Sequence, residues 1–578
     1  MGVEEAEAVY LAACWGAEEA YVATSFGVGE DLSSSADPAA DAVDAALSVG
    51  EFGGSTGTPL DRQLLILRAQ EADVSVSDND YAKWMSNMKV TPSIISKMSP
   101  ENQERFREAD AAEVEKLEQH ETYIWRKRRE VPRSSQIFHI LAVRTTKADG
   151  RPKTRLVING SQDERQHETL YAPTSRTATV KLLIAMGLAK GHDTEQADVE
   201  SAFLHASMPE EQQPVFAYPT DEILARHPDK KKYEDILNDH FVDVLKREGF
   251  SQSAVDKGLF YHEARDLYIN LYVDDALLMG PPEGREWLKE LLASQFKMKW
   301  LGRPRLYANK IVEAFLPPNS RPVTTPIAPG IHIGTEPLPS DEEWEHSPLR
   351  KLPYRQVVGS VLYLATGTRP DLLYPVKELA KWMSRWTQDD YDAALRVLRY
   401  VKARPSLGVQ FDKGGDPTQL VGYADASFAD LADRRSTSGW LWLYMGGIVS
   451  AQSRTQPRVS TLMVKAEYKS VSECAKDGDA LANTLKTINV SVARPLTLYS
   501  DGMGACYVAS NKKDSRLLRH VDVRYHHVRE LVGDGLLRVV HIAGADNPAD
   551  ILTKPMDRAT LEKHLRTLKM VPVQPSSE

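Results

Sequence analysis

The spacing of apolar positions divides the chain into stretches of different character. Up to about residue 80 no period holds. Ala, Glu, Asp, Ser and Gly dominate, and residues 33–38 and 53–59 have linker composition. This region reads as mostly disordered, with short helices near 3–22 and 60–72. A charged helical pattern sets in over 100–121. Residues 137–143 and 153–158 then alternate about Asp149-Gly150, as a hairpin with one charged face would. The spacing predicts a helix over 179–188, a strand with an acidic residue near its end over 196–204, and a polar helix over 222–248.

Two apolar runs, 267–271 and 276–280, flank Asp274-Asp275 and predict a strand, a tight turn carrying the two acids, and a strand back. A helix near 284–296 follows. An irregular stretch over 303–340 is punctuated by Pro317, Pro318, Pro322, Pro326 and Pro329. Residues 375–403 carry Trp382, Trp386, Leu395 and Leu398 at helical spacing, which core packing explains. From Leu420 the pattern predicts a strand ending at Asp425, then a hairpin over 439–450 around Gly446-Gly447. A helix over 463–488, a strand ending at Asp501, a helix over 521–533, a strand over 536–542 and a short helix from Pro548 complete the unit. Three antiparallel strands and a helix, then strand, helix, strand and helix, make an α/β layer fold.

The 578 residues are enough for three or four domains. No apolar run reaches membrane-spanning length, and the acidic start lacks the basic region of a secretory signal. Cys14, Cys474 and Cys506 are too far apart for a Cys-x-x-Cys site, so a reducing compartment without disulfides or zinc is expected. A net charge of −10 argues against a chain that coats nucleic acid indiscriminately. It leaves room for a local basic channel, since phosphate binding depends on local potential. The basic cluster Trp125-Arg126-Lys127-Arg128-Arg129 fits a solvated face and a nucleic-acid contact equally.

Two acidic sets carry the candidate chemistry. Asp274 and Asp275, between apolar runs, repel each other and lose hydration unless something binds them. A divalent metal removes both costs at a sheet rim where a nucleoside triphosphate can meet it. The dipeptide alone reads more simply as a surface turn. The second set is Asp425, Glu467, Asp501 and Asp550, two at strand ends and two in helices over the sheet. Singly, each is a cap or a surface charge. Converging on one face they would need cations, and two Mg²⁺ ions about 4 Å apart could activate water at a phosphodiester.

Several blocks in order then resemble one family. They include Lys153-Thr154-Arg155-Leu156-Val157, Gln196-Ala197-Asp198-Val199-Glu200, Tyr272-Val273-Asp274-Asp275, Thr368-Arg369-Pro370-Asp371, Gly422-Tyr423-Ala424-Asp425, Lys465-Ala466-Glu467-Tyr468 and Ala549-Asp550-Ile551-Leu552-Thr553-Lys554-Pro555. From about Ile137 to Pro555 the chain resembles the reverse transcriptase–ribonuclease H part of copia-type LTR-retrotransposon Pol polyproteins. No integrase-type His-His-Cys-Cys array or aspartic-protease motif is visible, so the chain is expected to be at most the C-terminal part of such a polyprotein.

The resemblance implies an α/β and α+β multidomain protein. An acidic, mostly disordered region (1–80) and a charged helical lead-in (81–134) precede truncated reverse-transcriptase fingers and palm (135–325). A linker and helical connection (326–412), an RNase H-like α/β domain (413–560) and a tail (561–578) follow. Asp198 and Asp274 would hold two Mg²⁺ ions, with Asp275 beside them and Tyr272 next to the primer end. Lys153 and Arg155 would hold the incoming triphosphate. Asp425, Glu467, Asp501 and Asp550 would hold the nuclease metals, again Mg²⁺ with Mn²⁺ as an alternative. RNA template, DNA primer, RNA–DNA hybrid and dNTPs are the implied partners, and the cytoplasm, in a virus-like particle, or the nucleus the implied location. His520 and His541 read as structural.

Two departures bear on activity. The family's Leu-Tyr-Gly-Leu-Lys block near the nucleotide site has no counterpart after Tyr233, and after Gly302 the Phe-Leu-Gly strand and primer-gripping hairpin are missing. Weak or absent polymerase activity is therefore expected beside a preserved nuclease unit. A catalytically dead remnant and a nucleic-acid-binding module are the alternatives. Val464-Lys465 replaces the family's Thr-Glu two residues before Glu467. Two residues along a helix face different ways, so Lys465 need not face the metals.

Overall fold

The computed structural model describes residues 92–96, 98–119, 137–146, 151–158, 176–199, 216–218, 220–227, 245–272, 275–295, 298–302, 308–428, 434–510 and 525–572. The helices expected near 3–22 and 60–72, the cluster 125–129, Asp274, His520 and the stretches around both missing blocks (228–244 and 303–307) lie outside them.

In chain order the elements that matter are α1 (Pro100–Gln119), β1 (Ile137–Thr146), β2 (Pro152–Ile158), α2 (Thr177–Lys190), β3 (Asp193–Val199), β4 (Phe216–Tyr218), α3 (Asp221–Arg226), β5 (Ser251–Gln252), β6 (Leu259–His262), β7 (Leu267–Tyr272), β8 (Asp275–Gly280), α4 (Pro282–Gln295) and β9 (Met298–Gly302). The second half contains α5 (Ala308–Phe315), α6 (Tyr354–Gly367), α7 (Leu373–Ala380), α8 (Gln388–Ala403), β10 (Leu407–Val409), β11 (Leu420–Ser427), β12 (Thr437–Tyr444), β13 (Gly447–Thr455), α9 (Met463–Thr487), β14 (Leu496–Ser500), α10 (Met503–Ser510), α11 (His527–Gly533), β15 (Leu537–His541), α12 (Arg558–Thr567) and β16 (Met570–Pro572). The chain divides into two compact units, one of residues 26–170 with 201–245 and the other holding the rest.

In the smaller unit the expected hairpin forms. β1 pairs antiparallel with β2 and parallel with β4. Arg144 on β1 turns inward to Asp110 of α1 (2.9 Å) and Glu222 of α3, and Thr154 Oγ1 donates to the same Asp110 at 2.6 Å. Buried charges persist when paired and hydrogen-bonded in this way. Lys153 is half-buried and Arg155 exposed.

The larger unit contains two sheets. The first has the order β5-β6-β7-β8-β3-β9, the second β13-β12-β11-β14-β15. In the second sheet β11, β12 and β13 are antiparallel neighbours, while β11, β14 and β15 run parallel. This is the α/β layer fold that the pattern predicts. α2 lies between the sheets. It packs on β3, β7 and β8 and also on β13 and α9. Every residue from Thr179 to Leu188 is buried, including Val180, Leu183 and Met186. A helix apolar on all sides needs partners on all sides. β13 is an edge strand of its sheet, and α2 and α7 cover it.

Some details differ from the sequence reading. The hairpin around Gly446-Gly447 turns one residue earlier, on Met445 (φ 50°) and Gly446 (φ 72°), both left-handed as a two-residue turn with right-handed strand twist requires. The helical stretch 375–403 is two helices. Thr387 ends the break between them, capping α8 through Asp390 in a reciprocal pair of side chain–backbone bonds. Beyond residue 560 the chain continues as α12, with Leu561 and Leu565 buried, and β16, which pairs with β10. No described helix is long and apolar enough to cross a membrane.

Candidate active site

The second sheet brings its acids together through its topology. Ala424 and Ser500 are register partners on adjacent parallel strands, so Asp425 and Asp501 follow at the same sheet edge. α9 crosses that edge. Its Ser470 hydroxyl donates to the carbonyls of Asp425 (2.7 Å) and Gly439 (3.1 Å), fixing the helix where Glu467 reaches the two aspartates. One carboxylate oxygen from each of Asp425, Glu467 and Asp501 lies within 4.8 Å of the others. Asp550 arrives on the short 3-10 turn Pro548–Leu552. Lys465, one turn-half away, bonds outward to Thr461 Oγ1 at 3.0 Å, so the substitution before Glu467 leaves the cluster untouched.

Burial sets the electrostatics. It pushes the Asp425 carboxyl up to about 7, with the neighbouring Asp550 adding to the effect. Burial, then Asp425 and Asp501, push Glu467 up to about 9. Burial also raises Asp550, against the opposing pull of Lys554. Carboxyls driven together out of water favour the protonated form unless a cation joins them. Glu467 Oε2 and Asp550 Oδ1 are buried without a hydrogen-bond partner, as oxygens kept for a cation would be. The donor set is all carboxylate, which suits a hard divalent ion.

Three further residues, not singled out by sequence reasoning, hold this arrangement. Asn547 is fully buried. Its Nδ2 donates to the Ala424 carbonyl (3.0 Å) and Asp501 Oδ1 (3.1 Å), and its Oδ1 accepts from the Ala549 N–H (3.2 Å). One side chain thus ties β11, Asp501 and the turn bearing Asp550. Thr553 donates its hydroxyl to Asp425. Lys554 Nζ stands 2.9 Å from Asp550 Oδ2. Burial works against the Lys554 charge, but Asp425, Asp550 and Asp501 together hold its pKa above the ordinary value. The signal for Lys554 is its i+4 spacing from Asp550. Asn547 looks in sequence like a plain Asn-Pro turn opener. His541 is exposed at the end of β15.

In the first sheet β3 lies between β8 and β9. Asp198 is the register partner of Asp275 on β8 and of Lys299 on β9. Tyr272 and Asp275 pair as the last residue of β7 and the first of β8, so Val273 and Asp274 alone connect the strands. The aspartate pair is therefore split between the connection and a strand. Asp274 is outside the described residues, as are the side chains of Asp198, Tyr272 and Asp275. The structure brings Asp198 and Asp275 together at the backbone. Lys153 and Arg155 belong to the other compact unit.

Residues 129–313 match the family described as reverse transcriptase (RNA-dependent DNA polymerase). The Retrovirus-related Pol polyprotein from transposon TNT 1-94 of Nicotiana tabacum is 27% identical over 521 residues, covering 83% of this chain and 39% of that protein. The chain is similar to copia-type retrotransposon Pol polyproteins. The corresponding Pol polyprotein from transposon RE2 of Arabidopsis thaliana is 29% identical over 478 residues, covering 74% of this chain and 31% of that one. The chain therefore spans 39% and 31% of the length of these two relatives. A solved foamy viral protease-reverse transcriptase in complex with RNA/DNA hybrid matches 89% of this chain and 64% of that chain at 10% identity and a TM-score of 0.45. The fold assignment rests on the strand orders described above.

Proposed function

We propose that this chain is a retrotransposon-derived enzyme whose ribonuclease H site is competent and whose polymerase half is impaired. The observation that carries the nuclease reading is the convergence of Asp425, Glu467 and Asp501, with a buried oxygen of Glu467 and one of the neighbouring Asp550 unpartnered. Mg²⁺ ions bound there, or Mn²⁺, would supply an activated water and charge stabilisation at the leaving oxygen of a phosphodiester. Asp425, Glu467, Asp501 and Asp550 are the residues to hold them. Asn547 orients Asp501, and Thr553 fixes one oxygen of Asp425. Lys554 offsets part of the negative charge beside Asp550. An RNA–DNA hybrid is the expected substrate, distinguished by its 2′-hydroxyls and minor-groove shape.

For the polymerase half, Asp198, Asp274 and Asp275 are the metal ligands and Lys153 and Arg155 the triphosphate contacts. RNA template, DNA primer and dNTPs are its partners. The two missing sequence blocks support impairment, because positioning of nucleotide and primer supplies much of such a rate. The test is a paired assay on the full chain. Mg²⁺-dependent cleavage of the RNA strand of a hybrid is expected, lost in Asp425→Asn and retained in Asp274→Asn. Primer extension on an RNA template is expected to be slow or absent. Hybrid binding without cleavage would instead favour a binding module, and extension at ordinary polymerase rates would refute the impairment.

A further inference from the structure

Outside both acidic sites, α8 carries an unusual set of charges. Its buried face, with Ala394, Val397, Leu398 and Val401, enters the core. Another face carries Arg396, Arg399 and Lys402, spaced three apart, and the irregular segment after α5 runs alongside it. The bonds these cations make go to neutral acceptors. Arg396 reaches Thr325 Oγ1 (3.1 Å), Arg399 Nε the Arg321 carbonyl (2.7 Å), and Lys402 Nζ the carbonyls of Pro318 (2.6 Å) and Ser320 (3.1 Å).

Between α8 and this segment is a groove of about 540 Å³, walled by Leu316, Pro317, Arg321, Leu395 and Arg399. The one carboxylate in its wall, Asp392, bonds Gln388 Nε2 at 3.1 Å. Carbonyl bonds alone would be met by neutral amides, so they account for the donors and leave the charge unexplained. Arg396 Nε is buried without a partner, and burial together with Arg399 holds that guanidinium below its usual range. Among the described residues Asp392 is the single carboxylate set against these cations in the wall, and an excess of like charge held together is a cost unless an anion completes it.

We propose that this groove binds the phosphodiester backbone of a nucleic acid, with Arg321 and Arg399, which line it, as the contacts and Arg396 and Lys402 contributing to the potential. Guanidinium groups suit phosphate oxygens through paired N–H donors. The inference rests on the nucleic-acid reading above, but it concerns a surface that neither acidic site uses.

The test is binding of a fluorescent 24-base-pair RNA–DNA hybrid to the full chain in EDTA, measured by anisotropy across a salt series. Arg321→Gln with Arg399→Gln is expected to weaken binding about tenfold and to lower the log–log salt slope by about two. Arg321→Lys with Arg399→Lys keeps the charges and should retain most of the affinity. The exposed pair Arg558 and Glu562 provides the control, with Arg558→Gln leaving the slope unchanged. An unchanged slope in the Gln pair, or an equal loss in the Lys pair, would overturn the proposal. So would inorganic phosphate binding as tightly as the hybrid, since that would assign the groove to a free anion. Cleavage in Mg²⁺, scored separately, keeps the two readings distinct. A chain that cleaves but shows no slope change refutes only the groove, and one that fails to cleave yet loses affinity in the Gln pair supports it.

Discussion

Folding makes Glu467 and Asp425 hold protons that exposed carboxyls lose near pH 4. The native state therefore binds more protons than the unfolded chain between about pH 4 and the folded values near 7 and 9. The stability these groups contribute is full below their unfolded pKa and is lost as pH rises through the folded ones. In EDTA, the melting temperature should fall between pH 5 and pH 9, and Asp425→Asn should flatten part of that fall; a rise over this window would contradict the assignment. Added Mg²⁺ should restore more stability at pH 9 than at pH 5. Asn547→Ala should reduce hybrid cleavage by about 10- to 100-fold, mainly by raising the Mg²⁺ concentration needed, as expected when a residue that orients a ligand is removed. A loss seen equally at saturating Mg²⁺ would argue for a direct catalytic part instead. The four carboxylates were legible through the sequence blocks that carry them, since spacing alone leaves each as a cap or a surface charge. Asn547 was not, because its role lies in three contacts made by residues up to 123 positions apart.

At the scale of elements, β12 shows how pattern and packing divide the information. Trp440 to Tyr444 form an unbroken apolar run that stops before Gly446-Gly447, so the strand could be read directly. What surrounds Trp442 could not. Its ring packs against Gly422 of β11 and Gly478 of α9, where an added Cβ would lie 2.8 Å and 2.1 Å from ring atoms, and its Nε1 donates to the Cys474 carbonyl at 2.9 Å. Trp442→Ala should cost about 3–5 kcal/mol, read as a lower urea midpoint. The same logic applies at the end of the chain. A fragment of residues 412–560 lacks β10, α12 and β16. It should unfold at lower urea than one of residues 404–572, which keeps the β10–β16 pair and the buried leucines of α12. No periodic signal joins residues 407–409 to 570–572, since that pairing is set by tertiary approach.

Across the larger unit one continuous core runs from α2 through both sheets to β16. Its two halves should melt together. Near-ultraviolet and far-ultraviolet circular dichroism are expected to report a single transition for this unit, and two separated transitions assigned to its two sheets would disprove the coupling. Sequence blocks identified both sheets and their order along the chain. They gave no sign that α2 serves both, because a helix apolar on every side reads the same whether one sheet or two enclose it. That sharing has an evolutionary corollary. If nucleotide addition is impaired as proposed, its loss would leave this packing intact, whereas deleting the first sheet with α2 would strip cover from the edge of the neighbouring sheet. Selection acting on the nuclease alone would then preserve an ancestral polymerase scaffold long after its own chemistry had lapsed.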